Sequence, residues 1–200
     1  MEKQLIISVG REYGSGGHEI SEKLSKHYGI KLLDHNLLDE IAAKKNLNMD
    51  HLKGLDEKYK NPWSSRTVRG FSSSPEENLL YLQFNYLRDK ADSGESFVIV
   101  GRCSEAILKQ YDSMISIFIL GEQDKKMKRI MELYHLTEYQ AVKKMREKDM
   151  KRIRYHNSFC NMKWGDSRNY DISINSSKLG IDGTVELLTD YIDKRRQQVK

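Results

Sequence analysis

Apolar residues are spaced in two ways along this chain, and the two ways alternate. Short continuous runs come as Leu5 to Val9 (LIISV), Phe97 to Val100 (FVIV) and Met114 to Leu120 (MISIFIL). Runs of that length without a regular polar face predict strands buried on both sides. The third is the most hydrophobic run in the chain and reads as a central strand. Lys31 to Leu33 predicts a brief second strand, and Tyr170 to Asn175 (YDISIN) a last one.

Between these runs the apolar positions recur every three or four residues, as helices with one buried face require. Ile20, Leu24 and the ring of Tyr28 mark a helix over His18 to Tyr28, with Gly29 as its cap. Leu37, Leu38, Ile41 and Ala42 make a second stripe, and Asp50 to Tyr59 reads as a short helix. Pro75 suits a first helical position with Ser74 as N-cap. The helix it opens carries Leu79, Leu80, Leu82, Phe84, Tyr86 and Leu87, and ends near Ser93-Gly94. Ser104 to Leu108 starts a short helix. Gln123 to Tyr134 and Glu138 to about Tyr155 predict two polar, basic helices, and Ile181 to Arg195 an amphipathic closing one. Asn61 to Ser74, with Pro62, Trp63 and Gly70, stays irregular; long loops within compact domains are usually functional or mobile. Trp63 and Trp164 lie in polar segments and read as packing or anchoring residues, with base stacking as the alternative.

Strands that alternate with helices imply an α/β fold, a parallel sheet of about five strands with helices on both faces. Ligands of such sheets bind at the carboxyl ends of the strands. The 200 residues suit one such domain, and no internal repeat is visible.

Composition narrows the class. Charged residues make up 32% of the chain, yet apolar positions recur in every element, so the chain is globular rather than disordered. The net charge of +5 attracts nucleic acid, membrane surface or phosphorylated small molecules, or serves only solubility. No window approaches the roughly 18 apolar residues of a membrane span, and MEKQLIISVG lacks the layout of a signal peptide. Cys103 and Cys160 form no C-x-x-C pair, which predicts no zinc site and a reducing, cytoplasmic setting. The six histidines show no metal-ligand spacing.

The chemistry starts at GREYGSGGHEI, Gly10 to Ile20, directly after the first strand and opening the first helix. Gly10, Gly14, Gly16 and Gly17 permit tight turns and close backbone approach. Backbone N–H groups at such a helix start form a nest for anions, which suits a phosphate chain. The alternative is a tight strand-to-helix turn without a ligand.

That loop, with VIVGR at Val98 to Arg102, REKDMKR at Arg146 to Arg152 and YDISINSSKLG at Tyr170 to Gly180, resembles the cytidylate kinase-like family over nearly the whole chain. The resemblance implies a P-loop NTPase fold, three layers α/β/α. It implies an acceptor-binding insertion at about 35–93 and a lid at about 138–168. It also implies phosphoryl transfer from ATP, with Mg²⁺ arriving on the ATP rather than in a dedicated protein site, to a small phosphorylated acceptor. Gly14, Ser15, Gly16, Gly17 and His18 are then the phosphate-binding residues. The D-x-x-R pair Asp149 and Arg152 falls in the lid, where arginines stabilise charge spread over the transferring group. Arg146 and Arg154 stand beside it. Arg102 and Asp34 match acceptor-side positions.

The chain departs from the family in places. In the pattern G-x-x-x-x-G-K-[ST], Gly17 takes the place of the lysine and His18 that of the hydroxyl residue, while Arg11 falls on the first glycine. Arg11 is therefore the candidate replacement cation, since a guanidinium grips phosphate with two parallel hydrogen bonds. Cys103 stands where the family has an aspartate after Gly-Arg. Asp39-Glu40 stand where it has Tyr-Arg, and Arg66 or Arg69 is the candidate substitute. CMP or dCMP is the first acceptor to consider, with another small acceptor or a non-catalytic nucleotide-binding module as alternatives. RNA binding is disfavoured because the basic residues are interleaved with acids and no RNP-type motif occurs.

Overall fold

A computed structural model describes residues 3–34, 36–45, 67–68, 71–72 and 75–198. The chain divides into two compact units, residues 1–32 with 95–200, and residues 33–94.

The larger unit is built on a five-stranded parallel sheet. Its strands are β1 (Ile6–Arg11), β2 (Lys31–Leu33), β5 (Phe97–Val100), β6 (Met114–Leu120) and β7 (Ile172–Asn175). They lie in the order β2-β5-β1-β6-β7. In register, Ile7 pairs with Val98 on one side and Ile115 on the other. The apolar residues divide between the faces with a period of two, as a pleated strand requires. Ile7 and Val9 of β1, with Ile115, Ile117 and Ile119 of β6, pack against Ile20 and Leu24 of α1 (Gly17–Tyr28) and Leu188 and Ile192 of the last helix.

The opposite face is more polar and carries aromatic rings. Ser8 and Ser104 share a buried hydrogen bond of 2.7 Å, and Ser104 Oγ also donates to Gly101 C=O at 2.8 Å. Phe118 stands edge-on to Trp164 at 5.2 Å and tilted against Tyr170 at 5.0 Å. A Cβ on Gly10 would meet Phe118 Cδ2 at 2.8 Å, so glycine lets the rings lie on the strand. Trp164 is thus a packing residue, and Trp63 lies outside the described residues. Phe118→Ala should cost about 3–5 kcal/mol, the price of an emptied aromatic site, read as a lower urea midpoint at unchanged m-value.

The helices end where local chemistry stops them. Gly29 terminates α1 at φ 61°, its N–H returning to the carbonyls of Ser25 and Lys26. The helix over Glu138–Phe159 starts with a capping box, Thr137 and Gln140 each accepting from the other's backbone N–H. It runs a turn past the predicted end near Tyr155. The last strand begins at Ile172 rather than Tyr170, because Tyr170 N–H closes a tight turn on Ser167 C=O at 3.3 Å. The closing helix begins at Ser176 and bends at Gly180, φ 70°.

The smaller unit holds α2 (Leu37–Lys45), α3 (Pro75–Asp92) and a two-residue antiparallel ladder of β3 (Thr67–Val68) with β4 (Phe71–Ser72). That ladder lies within the stretch expected to be irregular. Leu37, Leu38 and Ile41 of α2 and Leu79, Leu80, Phe84 and Leu87 of α3 are buried. Tyr86 Oη donates to Glu40 Oε2 at 2.8 Å. The helix expected over Asp50 to Tyr59 lies outside the described residues.

Candidate active site

From β5 the chain crosses β1 to reach β6 through α4 (Ser104–Ile107), so the strand order reverses beside β1. A crevice opens at such a reversal, at the carboxyl ends of the strands. The glycine loop occupies it. Gly14 and Gly16 have φ of 88° and 77°, which L side chains rarely adopt. A Cβ on Gly16 would overlap Ile181 Cδ1, and one on Gly17 would stand 2.5 Å from Arg11 Cβ. Helix α1 starts at Gly17 without a side-chain cap. The first turn of a helix holds N–H groups that no helical carbonyl can accept, and their dipole favours an anion. Glycine is needed at these positions because Ile181 and Arg11 pack directly on the loop backbone, and the N–H groups at the start of α1 suit an anion.

Hydrogen bonds from several segments fix the loop's shape. Glu12 N–H donates to Ile119 C=O at 2.9 Å. Glu12 Oε2 accepts from Lys126 Nζ at 2.8 Å and from Gly121 N–H at 3.1 Å. Ser15 Oγ donates to Glu12 C=O at 2.9 Å, and Ser176 Oγ donates to Ser15 C=O at 2.6 Å. A further tie comes from α6 (Glu138–Phe159). Asp149 Oδ1 accepts Tyr13 N–H at 2.7 Å. Arg152 Nη1 donates to Arg11 C=O at 3.1 Å and to Asp149 at 3.2 Å, with the guanidinium 5.5 Å from the Tyr13 ring centroid. Spacing of three puts Asp149 and Arg152 on one helix face. Burial pushes the Asp149 carboxyl up and the Arg152 guanidinium down from their ordinary values, the ion pair opposing both shifts.

Arg11, Gly14, Ser15, Gly16, Gly17, Asp149 and Arg152 thus gather at one loop. Arg11 lies along Gly17 and reaches the end of β5, where a Cβ on Gly101 would overlap its Nη1. Arg102 follows directly. Gly101, Arg102 and Cys103 all have positive φ, at 77°, 61° and 56°. Two successive non-glycine residues in that region store strain, which tends to concentrate at functional sites. His18 is exposed, with Glu22 3.8 Å away. Ser15 is buried with its hydroxyl turned into the loop. Arg146 and Arg154 are exposed on α6. Asp34, in the smaller unit, exchanges backbone-to-side-chain bonds with Asn36 at 3.1 and 3.2 Å ahead of α2. Arg66 and Arg69 lie outside the described residues.

Glu12, Lys126 and Arg129 have no counterpart among the residues expected from sequence. Arg129 pairs with Glu19 at 2.6 Å on the first turn of α1. Lys126 sits on a helix that reads as polar and solvated, yet only 8% of its side chain is exposed. No spacing rule singles it out. Lys126→Met should leave the Glu12 carboxylate with one donor and cost about 1–3 kcal/mol, measured by urea denaturation. The structure also gathers a group that sequence spacing did not pair: ligand atoms of Glu105, His156 and Cys160 lie within 4.8 Å of one another. No helix of the described residues is long and apolar enough to cross a membrane.

Comparison with known proteins follows the same lines. Residues 6–178 match the cytidylate kinase-like family. The chain is 26% identical over 191 residues to a cytidylate kinase of Methanococcus vannielii, covering 94% of this chain and 99% of that one. It is 23% identical to a cytidylate kinase of Pyrococcus horikoshii, covering 95% and 89%. A crystal structure of an uncharacterized protein from Eubacterium ventriosum superposes with a TM-score of 0.76 at 40% identity, over 95% of this chain and 99% of that one. Shikimate kinase from Bacteroides thetaiotaomicron shares the fold at 12% identity, TM-score 0.55, over 94% and 98%. A glycine loop at the strand reversal, an arginine-bearing helix on its backbone and a family match across most of the sequence agree: the chain belongs to the cytidylate kinase-like family and is a nucleotide-kinase type of enzyme.

Proposed function

We propose that this protein transfers the γ-phosphoryl group of ATP to a nucleoside monophosphate of the CMP or dCMP kind. The observation that carries the reading is the clamp of α6 on the glycine loop, Asp149 on Tyr13 N–H and Arg152 on Arg11 C=O. It holds a guanidinium beside the glycine loop that opens α1. Phosphoryl transfer asks little covalent chemistry of a protein; it asks for positioning and for cations around the equatorial oxygens. Arg152 and Arg11 supply the cations, and the α1 amides hold the donor phosphates. A helix laid over the loop also excludes water from the reaction.

Mg²⁺ fits as a partner of ATP. The loop carboxylates Glu12 and Glu19 are paired with Lys126 and Arg129, and Ser15 Oγ is spent on Glu12 C=O. A metal held chiefly by phosphates and water agrees with that arrangement. It would supply positive charge against the charge that develops during transfer.

One observation favours a different small acceptor. Cys103, which stands where the family has an aspartate, is 3% exposed. It offers an acceptor nothing like a carboxylate. ADP formation from ATP and Mg²⁺, measured against a panel of nucleoside monophosphates, tests both readings. Turnover that depends on CMP or dCMP supports the first. Turnover with no nucleotide, but with another hydroxyl or phosphate acceptor, supports the second. ATP binding without turnover on any acceptor refutes both.

A further inference from the structure

We propose that Glu105, His156 and Cys160 form a binding site for a divalent transition-metal ion of the zinc class. Nothing in the nucleotide reading requires this site, and it stands or falls separately.

Three ligand atoms, a carboxylate oxygen, an imidazole nitrogen and a thiol sulfur, lie within 4.8 Å of one another. Tetrahedral zinc with bonds of about 2.0–2.3 Å sets its ligands roughly 3.3–3.8 Å apart, so small side-chain adjustments would close the set. Glu105 and His156 are 4% and 3% exposed, while Cys160 is half-buried and opens a way in.

The outer contacts orient the histidine. Asn157 Oδ1 accepts the Trp164 N–H at 3.0 Å and lies 3.2 Å from His156 Nδ1. An amide oxygen has no hydrogen to give, so Nδ1 carries the proton. That leaves Nε2 facing Glu105 Oε1 at 2.5 Å, a distance at which the two share a proton. A metal ion would take that proton's place, opening the pair to its own ligand spacing and drawing in Cys160. A ligating histidine fixed through its other nitrogen is the usual arrangement.

The site also has a place in the fold. Glu105 lies three residues after Arg102, on α4. His156 follows Arg152 by four residues on α6, and Cys160 caps the same helix. A bound ion would therefore fasten the strained Gly101–Cys103 turn to the helix that clamps the glycine loop.

The test is cobalt titration of the full-length protein, reduced and stripped with a chelator. We expect one Co²⁺ per chain, a near-ultraviolet sulfur-to-cobalt band, and its loss when zinc is added. Cys160→Ser should weaken binding more than about tenfold and reduce the band; Asn157→Ala should weaken it by about ten- to a hundredfold through the ring orientation. Cys160 is partly exposed, so its serine variant should fold, checked by far-ultraviolet circular dichroism. No band at millimolar Co²⁺ would overturn the proposal. So would an unchanged band in Cys160→Ser, or a Cys103–Cys160 disulfide in the protein as isolated, seen by mass spectrometry without reductant.

Discussion

Arg152→Ala should lower kcat by about 10²–10³-fold, the usual loss when one preorganised donor to developing charge is removed. The guanidinium has two duties in this structure. It donates to Arg11 C=O and pairs with Asp149, and it presents charge at the loop where phosphate would lie. Losing the first duty costs stability, about 1–3 kcal/mol, since Asp149 keeps its bond from Tyr13 N–H. Losing the second costs rate. Arg152→Lys separates them: lysine keeps the charge but not the planar fork, so it should recover part of the rate. Steady-state kinetics and urea denaturation on the same three proteins check this. If Arg152→Ala retains activity within about threefold of wild type, Arg152 only holds the loop, and the transition-state role assigned from electrostatic principles is wrong.

Gly101→Ala should be the second most damaging change. The residue sits at φ 77°, where a Cβ costs about 1–2 kcal/mol, and that Cβ would overlap Arg11 Nη1. The backbone has little room to yield, because Arg102 and Cys103 are already left-handed and Gly101 N–H is bonded to Val9 C=O at 3.0 Å. The flexible guanidinium moves instead. We expect kcat/KM to fall by about tenfold or more, the loss of one charge-assisted contact of roughly 1.5–3 kcal/mol. Gly29→Ala is the control. Its φ is 61° and nothing lies within 4 Å of its would-be Cβ, so it carries the conformational cost without the contact. Equal losses of activity in both variants would show that Arg11 is not positioned for the reaction.

Much of this was visible in the sequence because the governing physics is local. FVIV and MISIFIL coincide with the strands Phe97–Val100 and Met114–Leu120, and LIISV enters Ile6–Arg11 at its second residue, because a strand buried on both faces carries a short continuous apolar run. Gly29 ends its helix as its freedom at positive φ predicts. The glycine loop announced itself by composition alone. The D-x-x-R pair was legible as a helix face, but its partners were not: they are backbone groups of Arg11 and Tyr13, about 140 residues away, and backbone atoms leave no trace in a sequence pattern.

What the sequence determined by itself was the order of the five main-sheet strands, the position of a glycine-rich loop after the first strand, and the absence of the usual lysine there. Each follows from periodicity or from the backbone freedom of glycine, properties of neighbouring residues. Only the tertiary structure decided that Lys126 is buried against Glu12, that Ser176 holds Ser15, that Arg11 reaches Gly101, and that Cys160 and His156 meet Glu105. Those pairings depend on which strand lies beside which. Ion pairs and hydrogen bonds act over a few ångströms, so they are set by where the sheet order brings two distant segments together.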